Sequence, residues 1–261
     1  MKNKVVWITG ASSGIGEALV YAYNKLGAKL IISARNRDEL FRVKGNCKNQ
    51  FDVHVLSLDL EDTAELVNKT KEALKIYSKI DLLVNAGGLG QRSSVLETEL
   101  SVEQKIMNVN FWGSVALSKA VLPEMIAKGG GQIVCISSVS GKFGRPDRAA
   151  YSASKHALHG YFDSLRTEVF SQNVQITLVC PGYIHTNLSL NAVTATGDVY
   201  GKMDDTQEKG LSAADCAKEI IKAVQQNKEE VYIGGKELKG VLFKRLFPER
   251  FSKYMRKNKI N

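Results

Sequence analysis

Short blocks of unbroken apolar and β-branched residues alternate along this chain with longer stretches that are hydrophobic on one side only. Lys4–Thr9, Lys29–Ser33, Val53–Leu58, Leu82–Val84, Gly131–Ser137, Val174–Cys180 and Glu230–Ile233 read as strands. Between the first two, Gly14–Leu26 places Ile15, Leu19, Ala22 and Leu26 on one helical side, and Gly27 stops it. Arg37–Cys47, Asp62–Tyr77, a long helix opening at Ser101, Tyr151–Ser171 and Ala213–Gln226 read as the other helices. Continuously apolar strands are buried on both faces, and strands separated by helices run parallel. The predicted fold is therefore α/β: a doubly wound, parallel, seven-stranded sheet with helices on both faces, a Rossmann fold, in one domain over residues 1–238. Only 187–210 breaks the alternation. An irregular stretch of that length inside a compact domain is a candidate substrate lid, here carrying Leu188, Leu190, Val193, Val199, Tyr200 and Met203.

Composition narrows the function classes. The hydrophobic fraction of 44% and charged fraction of 24% are ordinary for a soluble domain of 261 residues. The formal charge is +9, but residues 239–261 hold eight basic side chains against Glu249 alone. The rest of the chain is nearly neutral, so it is not a nucleic-acid binder. The basic extension interleaves Val241, Leu242, Phe243, Leu246 and Phe247 with Lys244, Arg245 and Arg250. Two readings stand: peripheral contact with a membrane surface, or packing beside the substrate cleft or another subunit. No apolar run reaches the length of a membrane span, and Val5–Ile8 is too short for a signal peptide. Cys47, Cys135, Cys180 and Cys216 form no CxxC pair, which points to free thiols in a reducing, cytoplasmic setting. His156 and His159 are spaced i, i+3 without a third ligand, so no metal site is expected and packing is the better reading.

Three constellations carry chemistry. Gly10, Ser12, Ser13, Gly14, Ile15 and Gly16 lie where the first strand turns into the first helix, the place where a helix N-terminus and close backbone approach receive a pyrophosphate. The second strand ends Ser33-Ala34-Arg35-Asn36. The acidic residue that would bind a ribose 2′-hydroxyl is missing there, and Arg35 offers a guanidinium fork suited to a 2′-phosphate, so NADP(H) is favoured over NAD. Tyr151 and Lys155 share a helical face at i, i+4. An ammonium beside a phenol stabilises the phenolate and makes the pair an acid/base candidate. Ser138 ends the fifth strand 13 residues earlier, where open α/β sheets bind ligands, and its hydroxyl could hold a carbonyl oxygen beside the phenol.

Taken together with Asp59, Asn85-Ala86-Gly87-Gly88, Asn110 and Pro181-Gly182, these residues resemble the short-chain dehydrogenase/reductase family over roughly residues 4–235. The resemblance implies Tyr151 as catalytic acid/base, Lys155 as the group that holds the nicotinamide ribose, Ser138 as the carbonyl-orienting hydroxyl, and Asn110 as holder of a water that feeds protons to Lys155. It further implies that Asp59 and Leu60 contact the adenine, that Asn85, Ala86 and Gly87 pass close to the cofactor, and that Pro181, Gly182, Ile184 and Thr186 border the nicotinamide. The family's usual Asn-Asn-Ala-Gly reads here without its second asparagine. Gly88–Ser93 and the basic C-terminus look most like the branch of steroid, retinoid and carbonyl reductases. The family likeness also implies a homodimer or homotetramer; Phe111 and Trp112 are candidate core or subunit contacts. The expected activity is hydride transfer between NADP(H) and a hydrophobic ketone or secondary alcohol. The alternatives are a non-catalytic dinucleotide sensor and a membrane or scaffold protein acting through its tail.

Overall fold

A computed structural model describes residues 1–257; Lys259 and Asn261 of the basic extension lie outside them. Elements follow in the order β1 (Val5–Thr9), α1 (Gly14–Lys25), β2 (Lys29–Ser33), α2 (Arg37–Gly45), β3 (Val53–Val55), α3 (Leu66–Tyr77), β4 (Leu82–Asn85), α4 (Leu100–Met107), α5 (Gly113–Ala127), β5 (Gly131–Ile136), α6 (Ala149–Glu168), β6 (Val174–Pro181), β7 (Ile184–His185), α7 (Asp205–Glu208), β8 (Leu211–Ser212), α8 (Ala213–Gln225), β9 (Glu230–Ile233), α9 (Lys239–Leu246) and α10 (Pro248–Lys257).

Seven strands form one sheet in the order β3-β2-β1-β4-β5-β6-β9, and every pairing is parallel. Successive side chains of a strand point to opposite faces, so each strand feeds two cores. Val6, Ile8, Leu30, Ile32 and Val84 meet Leu19, Tyr23, Leu40, Ile220 and Val224 from α1, α2 and α8. Val5, Trp7, Ile31, Leu83 and Ile133 meet Leu66, Leu117, Val121, Leu158 and Phe162 from α3, α5 and α6. The chain order reverses between β1 and β4, which opens a crevice at the carboxyl ends of the strands.

Among the departures from the sequence reading, three bear on the crevice. β3 stops at Val55 rather than Leu58, although the Leu56 and Leu58 amides still donate to the Ile32 and Ala34 carbonyls. α3 starts at Leu66 rather than Asp62. The long helix from Ser101 is interrupted by a π-helical turn, Asn108–Trp112, closed by the Gly113 amide donating to the Asn108 carbonyl. Phe111 is buried there and Trp112 is half-exposed.

Residues 187–210 are tied to the body. Val193 bridges to both Gln91 and Val199, Ala192 and Ser189 are fully buried, and Asp204 pairs with Arg92 and Arg148. The basic extension forms α9 and α10. Its apolar residues divide: Val241, Phe243, Phe251 and Met255 turn inward against Val139 and Phe143, whereas Leu242, Leu246 and Phe247 remain exposed. No helix among the described residues is long and apolar enough to cross a membrane.

Candidate active site

The floor of the crevice is made by two loops that interlock. Gly10 takes φ +63°, and a Cβ there would stand 2.6 Å from the Gly87 Cα. A Cβ on Gly16 would overlap the Gly10 carbonyl oxygen. The Thr9 hydroxyl accepts from the Ala86 and Gly87 amides at 3.2 and 3.4 Å. Leu60 packs against Gly87, and its carbonyl lies against Gly113 at the end of the π turn. Asp59 accepts from the Glu61 amide at 3.0 Å. Ser13 stands at the N-cap of α1, yet no side chain caps the helix, so its leading N–H groups remain open to an anion. Gly14 lies beside Thr186, whose methyl would be 3.2 Å from a Cβ at Gly14. A backbone cradle without side chains over an uncapped helix N-terminus fits a dinucleotide pyrophosphate. Arg35 is exposed at the end of β2, and no ion pair engages it among the described residues. Arg42 reaches the same edge from α2, donating to the Ser12 carbonyl at 3.2 Å while paired with Glu17 and Glu39.

The chemical residues converge at the other end of the crevice. Tyr151 and Lys155 lie one turn apart on α6, with Nζ 5.7 Å from the phenol ring centroid. Lys155 is buried and donates to the Ile136 carbonyl at 2.8 Å, leaving two of its three protons for other partners. The Ser138 hydroxyl accepts from the Ser140 amide at 3.1 Å, and its own proton stays available. Asn110 sits at the centre of the π turn, fully buried. Its Oδ1 accepts from the Leu89 amide at 2.7 Å, and its Nδ2 donates to the Leu89 carbonyl and the Ser154 hydroxyl, each at 3.0 Å. Ser154 in turn donates to the Tyr151 carbonyl at 2.7 Å. Asn110 Oδ1 and Lys155 Nζ share a gap: both stand 3.5 Å from the point a Cβ on Gly88 would occupy. π turns recur at functional sites because the widened turn redirects a side chain.

Most residues expected from the sequence therefore meet here, but two aim elsewhere. The Asn85 side chain donates to the Ser118 hydroxyl on α5 at 3.0 Å, leaving only its backbone near the cradle. The Ile184 side chain is buried in the core under α1 and α8. Pro181 ends β6 and Gly182 follows it, its amide donating to the Ile233 carbonyl at 2.8 Å. Glu237 clasps the turn: its carboxylate abuts Gly182 and accepts from the Tyr183 and Gly235 amides, each at 2.9 Å.

Several participants were not anticipated. The Gln91 side chain is fully buried and its Oε1 accepts from the Tyr151 amide at 3.1 Å, satisfying an open donor in the first turn of α6. Its position in Gly88–Ser93, a stretch otherwise noted only for its resemblance, was the one available signal. His159 is buried, with Nε2 3.0 Å from the Ser137 hydroxyl and Nδ1 3.4 Å from Glu230. The thiols are inert: burial pushes Cys47 up to about 11 and Cys135, Cys180 and Cys216 up to about 12.

Comparison with known proteins agrees with this geometry. The family model described as short chain dehydrogenase matches residues 4–196. A dehydrogenase/reductase SDR family protein 7-like from Anopheles gambiae is 47% identical over 242 residues, covering 89% of this chain and 75% of its own. The SDR family member 7B of Danio rerio is 40% identical, covering 90% and 78%. Among solved structures, a short-chain dehydrogenase from Streptomyces avermitilis superposes with TM-score 0.83 at 27% identity, covering 98% of this chain and 99% of that one. A Burkholderia phymatum enzyme in complex with NAD superposes at 0.85 and 22% identity, covering 95% of each, which bears on the fold alone.

Proposed function

Because the chain belongs to the short-chain dehydrogenase/reductase family of oxidoreductases, which bind a nicotinamide dinucleotide, we propose that it reduces a hydrophobic ketone with NADPH. The observation that carries this reading is the meeting of Tyr151, Lys155, Ser138 and Asn110 beside one glycine cradle. The bound cofactor supplies the hydride. Ser138 donates a hydrogen bond to the substrate oxygen, and Tyr151 passes it the phenolic proton. Lys155, held by the Ile136 carbonyl, keeps two protons, one for the cofactor sugar and one for a water beside Asn110, while its charge stabilises the phenolate. Asn110 braces the Leu89 backbone and, through Ser154, the first turn of α6.

Preference for NADPH is supported by Arg35, which makes no ion pair among the described residues, and by the missing carboxylate. Glu39, a nearby acidic residue on α2, is taken up by Arg42. A lipophilic substrate is supported by Val139 and Phe143, which follow Ser138 and join the apolar cluster of α9 and α10. Exposed Leu242, Leu246 and Phe247 beside Lys244, Arg245 and Arg250 favour a contact of this tail with an anionic bilayer, which sedimentation with anionic against neutral vesicles tests. Half-exposed Trp112 near α6 supports a homo-oligomer, tested by sedimentation velocity.

The activity is tested by following NADPH absorbance over lipophilic and small polar ketones. Lipophilic ketones are expected to be preferred. Tyr151→Phe is expected to cut turnover by about a hundredfold or more while NADPH still binds. Turnover within about tenfold of the parent refutes Tyr151 as the acid. NADPH binding with no turnover of any ketone or alcohol points instead to a dinucleotide sensor.

A further inference from the structure

Three arginines gather around the start of α6, and among the described residues Asp204 is the one carboxylate that pairs with them. Arg148 immediately precedes the helix, one turn ahead of Tyr151, and is buried. Arg92 follows Gln91, the residue that holds the Tyr151 amide. Both lock onto Asp204: Arg92 through two hydrogen bonds, to Oδ1 at 3.2 Å and to Oδ2, and Arg148 to Oδ2 at 3.0 Å. Burial pushes Arg148 down to about 10, and the charges of Arg145 and Arg92 act in the same direction against Asp204. Asp147 and Asp205 are exposed, and neither is within ion-pair distance of the three guanidinium groups.

Arg145 is the uncompensated member. Its guanidinium lies over the Tyr183 ring at 5.2 Å, and its Nη2 is buried without a hydrogen-bond partner. Tyr183 follows Gly182 directly, so Arg145 joins the loop between Ser138 and Tyr151 to the turn after β6. Those two segments leave the carboxyl ends of the neighbouring strands β5 and β6, the first of them running between Ser138 and Tyr151. Arg145 is partly buried as a residue, but a buried guanidinium nitrogen with no acceptor is costly to keep, and a guanidinium fork matches carboxylate or phosphate oxygens.

We propose that the substrate is a ketone bearing an anionic group, a carboxylate or a phosphate monoester, which binds Arg145 in the positive field of Arg92 and Arg148. This rests on the reductase reading and narrows its substrate class to amphiphilic keto acids or keto phosphates. Asp204 holds two guanidinium groups in place and leaves the third for the ligand. An anion bound away from the carbonyl adds binding energy that orients the carbonyl against Ser138 and Tyr151.

The test compares matched alkyl ketones ending in a carboxylate, a phosphate monoester or a methyl ester, at several spacings from the carbonyl, with the full chain and NADPH. At least one anionic series is expected to exceed its ester in kcat/KM by about tenfold or more, and the arm that does so separates carboxylate from phosphate. In Arg145→Gln that ratio is expected to fall toward one, and in Arg145→Lys, which keeps the charge without the fork, to fall less. Equal kcat/KM for anion and ester overturns the proposal, as does an Arg145→Gln variant that lowers both alike. If no ketone is turned over, the reductase reading has failed, and the anion site is decided by calorimetry on the NADP⁺-saturated chain. Tighter binding of the anionic compound than of its ester, lost in Arg145→Gln, sustains the site; equal binding overturns it.

Discussion

Replacing Gly88 by alanine tests whether a proton path runs between Asn110 and Lys155. Gly88 is absent from the positive-φ positions, so alanine needs no left-handed backbone. The added methyl would meet Asn110 Oδ1 and Lys155 Nζ at 3.5 Å each, an ordinary contact for carbon, and no other atom lies closer. A water linking the two polar atoms must sit about 2.9 Å from each, in the space that methyl would fill. Excluding it removes a hydrogen bond to a charged group, about 1.5–3 kcal/mol, or about 10- to 150-fold in rate. The expected variant has kcat reduced in that range, NADPH affinity within about threefold of the parent and a Tm within about 2 °C. The measurements are NADPH consumption, NADPH fluorescence titration and calorimetry. A kcat within about twofold of the parent, with affinity retained, refutes a water relay through this gap. A loss of affinity matching the loss of rate would mean that Gly88 touches the cofactor instead.

Arg35→Ala is expected to raise KM for NADPH by about 10- to 150-fold with little change for NADH, since only the 2′-phosphate loses a charge-assisted partner; equal changes for both cofactors in initial-rate assays would sink the assignment. Acid stability is expected to depend on Glu230. The His159 hydrogen bond lowers its pKa from 4.5 to about 2; burial opposes this, and Lys142 and Tyr232 add to it. A depressed carboxylate stabilises the fold fully above pH 4.5, and that stability is lost as pH falls toward 2. Glu230→Gln is expected to flatten the pH dependence of Tm across that window; an unchanged slope would show that this carboxylate is not coupled to folding.

The alternation of strand and helix was legible because buried parallel strands are continuously apolar, and the predicted Glu230–Ile233 coincides with β9. β3 was overread because past Val55 the Leu56 and Leu58 amides still bond to the β2 edge, while the chain leaves regular strand pairing and turns toward Asp59 and Leu60. The glycine cradle and the Tyr151–Lys155 pair were legible because both are local patterns. What escaped depends on distant partners. The π turn has ordinary helical spacing in sequence; Asn110 is held there by Leu89 and Ser154. His159 read as a packing residue, and it packs, but its polar neighbours Ser137 and Glu230 come from two different strand ends. The interleaved apolar residues of the tail divide, since α9 and α10 fold back and turn Val241, Phe243, Phe251 and Met255 inward while Leu242, Leu246 and Phe247 stay exposed.

The Glu237 clasp changes where the working unit ends. By secondary structure the sheet is complete at Ile233, and a protein engineer trimming the chain would cut soon afterwards. Yet the carboxylate that secures Tyr183 and abuts Gly182 lies past that point, in the short 3₁₀ turn Lys236–Leu238 that leads into α9. The segment beyond the last strand is thus a buckle on the turn that leaves β6. A chain cut at Gly235 would keep its sheet but lose both that fastening and the apolar cover that α9 and α10 lay over Val139 and Phe143.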